Sequence, residues 1–242
     1  MSKVQIVAEC GINSNGDIGL AKQQIDMAVA AGVDAVKFQV YSAEKLVGMS
    51  SPLYKDTKQG QFSYKDLAVL YDYSPVEWFA SAFDVEAVGF LNELGVERFK
   101  IASRTMTNKK VLEAITKTGK PILLSTGRHD TGTIAKTLEI VKGSSVTLLY
   151  CVPNYPTKIQ DVNFGRMNGI KDLFKLPVGF SDHTTGIWAS LEAVRLGAVL
   201  TEKHFTVSRS LPGCDQVCSL EFPEMKLLVK SIRQLECYRV NI

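Results

Sequence analysis

The segment AVAAGVDAVKFQV, residues 28–40, decides the fold, because its pattern recurs three more times along the chain. The other copies are LNELGVERFKIAS (91–103), AITKTGKPILLSTG (114–127) and AVRLGAVLTEKHF (193–205). In each copy a helical pattern ends at a glycine, and an apolar or β-branched strand begins one to three residues later. Glycine readily adopts the left-handed conformation that closes a helix, so each copy predicts a helix followed by a strand. The first two copies align residue for residue, with Lys37 and Lys100 at the same position, which indicates repeated βα units.

Further short apolar strands lie between these copies. Counting along the chain predicts eight strands, near residues 5–10, 35–40, 78–83, 98–102, 121–126, 146–151, 177–182 and 199–205. Helical stretches separate most of them, such as those that follow Asp17 and Thr107. This alternation over 242 residues matches a (β/α)8 barrel, the TIM-barrel architecture, in a single domain spanning residues 1–242. Residues 41–78 break the repeat, and we expect there a long loop with one short helix that covers the barrel mouth.

Composition narrows the class of protein. Lys and Arg total 28 against 25 Asp and Glu, so the net charge of +3 gives no bulk reason to expect binding to nucleic acid or to a membrane surface. The first residues lack a signal-peptide pattern, and no segment approaches the ~18 apolar residues of a membrane helix, which favours a cytoplasmic protein. The five cysteines are expected to be free thiols, and the pair in GCDQVC lacks the partners that a metal site needs.

Polar residues gather at the carboxyl ends of the predicted strands, where barrel enzymes carry their chemistry. Because residues two apart on a strand share a face, the residues of each strand can be sorted into those that face the barrel axis and those that face the helices. We expect Lys203 to point outward, towards a helix carboxylate or solvent. The positions predicted to face the barrel axis are Glu9, Lys37, Gln39, Lys100, Ser125, Ser181, His183, Glu202 and His204.

Two of the three histidines end neighbouring strands. Neutral imidazoles that converge on one point commonly hold a catalytic divalent metal, although ordinary polar packing is an equal alternative for two histidines alone. Carboxylates nearby, at Glu9, Glu202 and Asp182, favour the metal. His129, in the turn-like segment GRHDTG, is expected to lie in a surface loop.

Lys37 and Lys100 inside a barrel are costly unless anions compensate them, and Glu9 or Glu202 could do so. Serines surround the same mouth, and two ammonium groups with several hydroxyls also suit a bound phosphate or carboxylate. Neither a P-loop nor a GxGxxG pattern occurs, so a nucleotide is not indicated.

Several motifs, taken in order, extend over nearly the whole chain. They are IVAECGINSNGDIGLAKQQIDMAVAAGVDAVKFQ, RFKIAS, PILLSTG, VGFSDHTTGI, TEKHFT and PGCDQVCSLE. Together they resemble the motifs of the N-acetylneuraminate (sialic acid) synthase family, known as NeuB-like. The resemblance implies a TIM-barrel catalytic domain that condenses phosphoenolpyruvate with an aldose such as N-acetylmannosamine. The products would be a 2-keto-3-deoxy sugar acid and phosphate, and the cofactor a divalent metal, Mn²⁺ or Mg²⁺.

The resemblance also implies a role for each site residue. His183 and His204 would ligate the metal, and Glu9, Glu202 and Lys100 would act near the reacting atoms. The residues implied to bind phosphoenolpyruvate are Lys37, Ser81, Lys100, Ser103, Ser125 and Ser181. Those implied to lie near the sugar are Gln39, Phe83, Tyr155 and Asp215.

The chain departs from the family pattern mainly at acceptor positions. Arg104 and Thr105 replace a usual Gly-Glu pair, and the other departures are Ser14, Pro153, Cys214 and Gln216. The family usually continues into a C-terminal antifreeze-like domain that this sequence does not include. We therefore expect the same reaction on an altered sugar, with a homodimer or a separate chain supplying that domain as possible partners.

Two alternatives remain open on the sequence. Lys100 could instead form a Schiff base in a metal-independent aldolase. The barrel could also be a noncatalytic or partner-dependent subunit of a sugar-biosynthesis complex, although a scaffold has little reason to keep buried charges.

Overall fold

The computed structural model describes residues 3–239, which form a closed barrel of eight parallel strands in chain order. This arrangement confirms the predicted single-domain (β/α)8 fold, with every strand within a few residues of its expected place. The strands are β1 Gln5–Gly11, β2 Ala35–Val40, β3 Glu77–Ala82, β4 Phe99–Ile101, β5 Ile122–Ser125, β6 Val146–Tyr150, β7 Val178–Asp182 and β8 Leu200–His204.

Ten helices surround or flank this barrel in the described part of the chain. They are α1 Ile18–Ala31, α2 Ala43–Leu46, α3 Tyr54–Gln59, α4 Tyr64–Tyr73, α5 Val85–Leu94, α6 Lys109–Lys117, α7 Thr131–Ile140, α8 Phe164–Phe174, α9 Trp188–Arg195 and α10 Phe222–Arg239. Within residues 3–239, none of them combines the length and the apolar character that crossing a membrane requires.

The helix ends follow the predicted chemistry. Asp17 caps α1 by accepting a hydrogen bond from a first-turn amide, whereas α6 is capped by Asn108 and not by the preceding threonine. Gly32 and Gly95 close α1 and α5 in the left-handed conformation, with φ of 91° and 92°. The repeated glycine therefore turns the chain from each of these helices into the next strand.

The segment between β2 and β3 contains the expected short helix, α4, but the prediction that the rest is a long loop is wrong, because it also folds into α2 and α3. Helices α2 and α3 have only four and six residues, and α3 buries none of them, so no apolar periodicity marks them in the sequence. The segment is fastened locally: the Tyr41 hydroxyl donates to the Thr57 carbonyl, and the Ala43 amide donates to Gln61 Oε1, both at 2.9 Å.

The barrel interior is filled in layers below the carboxyl ends of the strands. At the amino end, Arg98 donates to Glu77 Oε1 and to Gln5 Oε1, both at 2.6 Å. Above these residues lies an apolar plug, so the lumen opens only towards the carboxyl end. The plug consists of Val7, Ala35, Phe79, Leu123, Leu149 and Leu200.

Candidate active site

The strand register confirms the predicted sorting of inward residues. Glu9 of β1 pairs with Lys37 on one side and with His204 on the other, and Ser181 of β7 pairs with Glu202 of β8. Glu9, Lys37 and Glu202 each lie two positions beyond a member of the apolar plug, and His204 lies two positions beyond Glu202. A cavity of about 490 Å³ opens at the carboxyl end, and every residue predicted for the site lines it. These residues are Glu9, Lys37, Gln39, Ser81, Phe83, Lys100, Ser103, Ser125, Tyr155, Ser181, His183, Glu202, His204 and Asp215.

A chain of alternating charges forms the cavity floor. Lys37 Nζ lies 2.5 Å from Glu9 Oε2 and 3.7 Å from Glu202 Oε2, and Lys100 Nζ donates to both oxygens of Glu202 at 2.8 and 3.0 Å. All four side chains are buried. The Ser181 hydroxyl adds a hydrogen bond to Glu202 Oε1 at 2.8 Å. The compensation that the sequence suggested is therefore present, and it makes the floor neutral when both carboxylates are ionised.

The two carboxylates have opposite pKa shifts. Burial raises the pKa of Glu9, and Lys37 offsets only part of that effect. Burial also opposes ionisation of Glu202, but Lys100 and Lys37 outweigh it and hold its pKa well below the usual range. Glu9 is thus the carboxyl better suited to carry a proton, whereas Glu202 stays charged.

Gly11 makes room for this floor at the end of β1. Its φ is +49°, and a Cβ there would lie 2.9 Å from Glu9 Oε1 and 3.2 Å from Gln39 Nε2. Those two atoms are themselves joined by a hydrogen bond of 2.9 Å. A side chain at residue 11 would therefore break the contact that orients Glu9.

The two histidines lie side by side, with ring centroids 5.6 Å apart. His183 Nδ1 hydrogen-bonds to the Val152 carbonyl at 2.7 Å, which leaves Nε2 to face the cavity. Burial lowers the pKa of His183 to about 4 and that of His204 to about 3, so both rings are neutral at pH 7. The ring of Tyr155 stacks on His183 at 4.0 Å and meets His204 edge-on at 5.6 Å.

This donor set fits a divalent metal held by two nitrogens. Both imidazoles are neutral, and the buried Nδ1 of His204 has no hydrogen-bond partner among residues 3–239, with Asp215 Oδ2 lying 3.7 Å away. No group of three or more histidines, cysteines or acidic residues suited to a metal occurs in the described part of the chain. The remaining coordination positions would therefore fall to water and substrate.

Asp182 does not belong to this site, contrary to expectation. It faces away from the axis, where its Oδ2 accepts from Ser190 Oγ at 2.6 Å and lies 3.2 Å from Lys203 Nζ. Lys203 is fully buried, so the expectation of a helix carboxylate or solvent as its partner is also wrong. Strand alternation gave the correct face for Lys203, but it could not show that Lys203 pairs with Asp182 across β7 and β8.

Some cavity residues were missed from the sequence. Cys151 follows Leu149 by two positions, so the same alternation could have found it. Arg128 stands in the turn after β5, and Leu46 comes from α2, where no strand pattern applies. His129 is half-buried beside the mouth, and its Nε2 lies 2.8 Å from the Ser103 carbonyl oxygen.

Fold and site together define a (β/α)8-barrel protein with a buried, charge-lined cavity suited to an anion and a divalent cation. The NeuB family model matches residues 24–241, and the chain belongs to the NeuB family. It is 39% identical to the N,N'-diacetyllegionaminic acid synthase of Campylobacter jejuni, over 98% of this chain and 77% of that protein. It is 34% identical to the human N-acetylneuraminate-9-phosphate synthase, over 96% of this chain and 70% of that protein.

A solved structure agrees with the sequence relatives. The N-acetylneuraminic acid synthetase of Leptospira borgpetersenii, solved with citrate, superposes with a TM-score of 0.94 at 36% identity. The match covers 97% of this chain and 84% of that one. These comparisons confirm the predicted class, an enzyme of the sugar-acid synthase type.

Proposed function

We propose that the protein condenses phosphoenolpyruvate with an aldose, giving a 2-keto-3-deoxy sugar acid of the nonulosonate type and releasing phosphate. Relatives named as legionaminic, pseudaminic and N-acetylneuraminate-9-phosphate synthases support this reaction class. The observation that carries it in this chain is one cavity that joins two buried lysines to two neutral histidines. Such a cavity suits a phosphorylated anion and an electrophilic carbonyl at the same time.

Phosphoenolpyruvate is proposed to bind at the floor. Lysine ammonium groups and serine hydroxyls are donors that match its phosphate and carboxylate oxygens. Lys37 already donates to Ser81 Oγ at 3.2 Å, so donors of the two kinds lie within reach of one ligand. The proposed set is Lys37, Ser81, Lys100, Ser103, Ser125 and Ser181.

The proposed reaction forms one carbon–carbon bond and exchanges one carbon–oxygen bond at C2, where the bond to the phosphate oxygen breaks and a bond to the oxygen of water forms. C3 of the enol attacks the aldehyde carbon, and the aldehyde oxygen takes up a proton. Water then adds its hydroxyl group to C2, and the resulting adduct releases phosphate to leave the keto group. Because its pKa is raised, Glu9 is the proposed proton carrier, while Glu202 stays ionised and holds Lys100 in place.

His183 and His204 are proposed to hold the metal, Mn²⁺ or Mg²⁺. When bound there, the metal would supply Lewis-acid polarisation of the aldehyde oxygen. The protein's own contribution is to keep both rings neutral by burial and to fix the orientation of His183 through the Val152 carbonyl.

The aldose is proposed to lie above the floor, against Gln39, Phe83, Tyr155 and Asp215. The departures at the acceptor positions support an altered sugar, and N-acetylmannosamine is accordingly not expected to be the best acceptor in a broad panel. A cytoplasmic location, and a homodimer or a second chain that completes the site, remain predictions.

The Schiff-base alternative is less well supported. Burial lowers the pKa of Lys100, as a nucleophilic lysine requires, but both oxygens of Glu202 accept hydrogen bonds from the ammonium group. A protonated amine cannot attack a carbonyl. The synthase relatives also favour catalysis over a noncatalytic subunit.

The test is phosphate release from phosphoenolpyruvate across a panel of aldoses with Mn²⁺, with and without EDTA. Release that depends on the sugar and is abolished by EDTA is expected, and His183→Ala and Lys100→Ala should abolish it. Water attack at C2 also requires the bridging oxygen of phosphoenolpyruvate to leave with the phosphate, which an ¹⁸O label in that position would reveal. Trapping of an adduct on Lys100 by borohydride, with activity that survives EDTA, would replace the proposal with the aldolase.

A further inference from the structure

Two arginines line the cavity at its rim, apart from the charge network of the floor. Arg104 lies in the short turn Ser103–Thr105 after β4, and Arg128 lies in the turn after β5, so both stand above neighbouring strand ends. Arg104 Nη2 donates to the Leu46 carbonyl at 3.0 Å, and Arg128 Nη2 donates to the Pro153 carbonyl at 3.1 Å.

Both guanidinium groups keep most of their donors free for a ligand. A guanidinium has five N–H donors, and each of these spends only one on a backbone carbonyl. Within residues 3–239, no carboxylate lies within the 4.0 Å of an ion pair from either group, whereas Arg98, Arg195, Arg209 and Arg233 all have such partners. The rim therefore carries two positive charges that no carboxylate among residues 3–239 neutralises.

Charge is distributed unevenly around the rim, with the arginines on one side of the opening and a carboxylate on the other. In a closed barrel in chain order, β4 and β5 lie across the mouth from β8 and β1. His204 ends β8, and Asp215 approaches it to 3.7 Å. The arginines thus face the histidines and the rim carboxylate from the opposite side of the opening.

The backbone conformation of Arg128 is a second observation, independent of its hydrogen bonds. Its φ of 67° is in the left-handed region, which disfavours arginine relative to glycine or asparagine. Strained positions of this kind concentrate at ligand-binding sites, where the side chain is needed.

On the proposed function, we infer that the acceptor is an acidic aldose, with a phosphate or carboxylate at the end remote from the aldehyde. The aldehyde end lies at the histidine side, and the anionic end is bound by Arg104 and Arg128. Guanidinium groups match both anions with paired, charge-assisted hydrogen bonds. This assignment deepens the proposed function, because it names the substrate class of the same cavity.

The experiment compares neutral sugars with acidic counterparts in the phosphate-release assay. Mannose is tested against mannose 6-phosphate and mannuronate, and N-acetylmannosamine against its 6-phosphate, with reactions lacking phosphoenolpyruvate as blanks. We expect an acidic form to have a kcat/KM about tenfold or more above that of its neutral parent, the effect of a charge-assisted hydrogen bond. The phosphate and carboxylate arms show which anion the rim accepts.

The variants separate acceptor binding from folding and from overall charge. Arg104→Gln removes an exposed charge, and Arg128→Asn places a residue that tolerates the left-handed backbone, so neither change should impair folding. Both should raise the KM for the acidic acceptor while leaving the KM for phosphoenolpyruvate unchanged. Arg195→Gln, on the outer helix α9, removes the same charge away from the cavity and should change neither value.

Equal use of neutral and acidic sugars, or arginine variants that raise the KM for phosphoenolpyruvate alone, would overturn the inference and leave the proposed function intact. If no sugar of either kind triggers release, the proposed function fails and the acidic acceptor fails with it.

Discussion

Replacing Lys203 by methionine is expected to destabilise the barrel more than any exposed charge change, although Lys203 lies outside the cavity. Its ammonium group is fully buried, 3.2 Å from Asp182 Oδ2, and it also donates to the Thr184 carbonyl. Asp182 and Lys203 each precede a cavity histidine in sequence, on the two neighbouring strands β7 and β8. The pair therefore fastens together the strand ends that carry His183 and His204.

The magnitude follows from leaving one buried charge without its partner. Breaking such a pair from one side costs about 3–5 kcal/mol, a large share of the ~5–15 kcal/mol that stabilises a typical domain. Methionine keeps the volume of Lys203, so the loss is mainly electrostatic. Asp182 retains donors from Ser190 Oγ at 2.6 Å and the Thr184 amide at 2.8 Å, which places the expected loss near the lower end, about 3 kcal/mol.

Urea unfolding of four proteins measures this coupling: the natural chain, Lys203→Met, Asp182→Asn and the double variant. We expect the double variant to lose clearly less than the sum of the two single losses, because no uncompensated charge then remains. The exposed pair Lys109–Glu113, with its atoms 3.6 Å apart, is the matched control, and Lys109→Met should cost at most about 0.5 kcal/mol. Single losses below about 1 kcal/mol, or additive losses, would refute the reasoning.

Three further predictions concern the cavity and the plug. The pKa values of His183 (about 4) and His204 (about 3) lie below the ordinary 6.5, so below pH 6.5 the unfolded chain binds protons that the folded chain refuses. The free energy of unfolding should therefore fall as pH drops from 6.5 towards 4, by up to ~1.4 kcal/mol per pH unit for each histidine. His183→Gln removes one of these two groups and should make that pH dependence less steep. An unchanged slope would contradict the lowered pKa of His183. Gly179→Ala should lower the free energy of unfolding in urea by about 1–3 kcal/mol. The new Cβ would lie 2.7 Å from Leu149 Cδ2 and 2.7 Å from the Leu200 carbonyl oxygen, on the two adjoining strands. No change in stability would mean that the plug can relax around the added methyl group. Glu9→Gln should lower the free energy of unfolding less than Glu202→Gln in the same assay. The raised pKa of Glu9 brings this carboxyl closer to its neutral form, whereas Glu202 neutralises two lysines. The reverse order would exchange the roles given to these carboxylates.

Much of the floor could be predicted from the sequence because strand alternation is a rigid rule. A one-residue error would move every side chain to the other face, and glycines at the helix ends marked the start of four strands, β2, β4, β5 and β8. Once Lys37 and Lys100 were aligned on that pattern, the faces of Glu9, Ser181 and Glu202 followed. The register between neighbouring strands then agreed with the expected faces.

The remaining features depend on contacts that no local pattern encodes. Helices α2 and α3 are too short to show an amphipathic repeat, so their segment was mistaken for a loop. The pairing of Lys203 with Asp182 joins residues 21 positions apart in sequence, and it depends on which strands are neighbours and on their register. Arg128 reaches the cavity from a turn, where side-chain direction has no fixed period.

The neutral floor has a consequence for how substrates would enter. Lys37 and Lys100 are each already paired with a carboxylate at 2.5 and 2.8 Å, so an anion alone must compete with Glu9 and Glu202 for the same ammonium groups. A divalent cation alone would meet neutral imidazoles and the Asp215 carboxylate, which balances at most one of its two charges. Arriving together, the anion and the cation compensate each other in a low-dielectric cavity, where uncompensated charge is most costly. On the proposed function, each should therefore tighten the binding of the other by the same factor, because a coupling free energy between two sites is reciprocal.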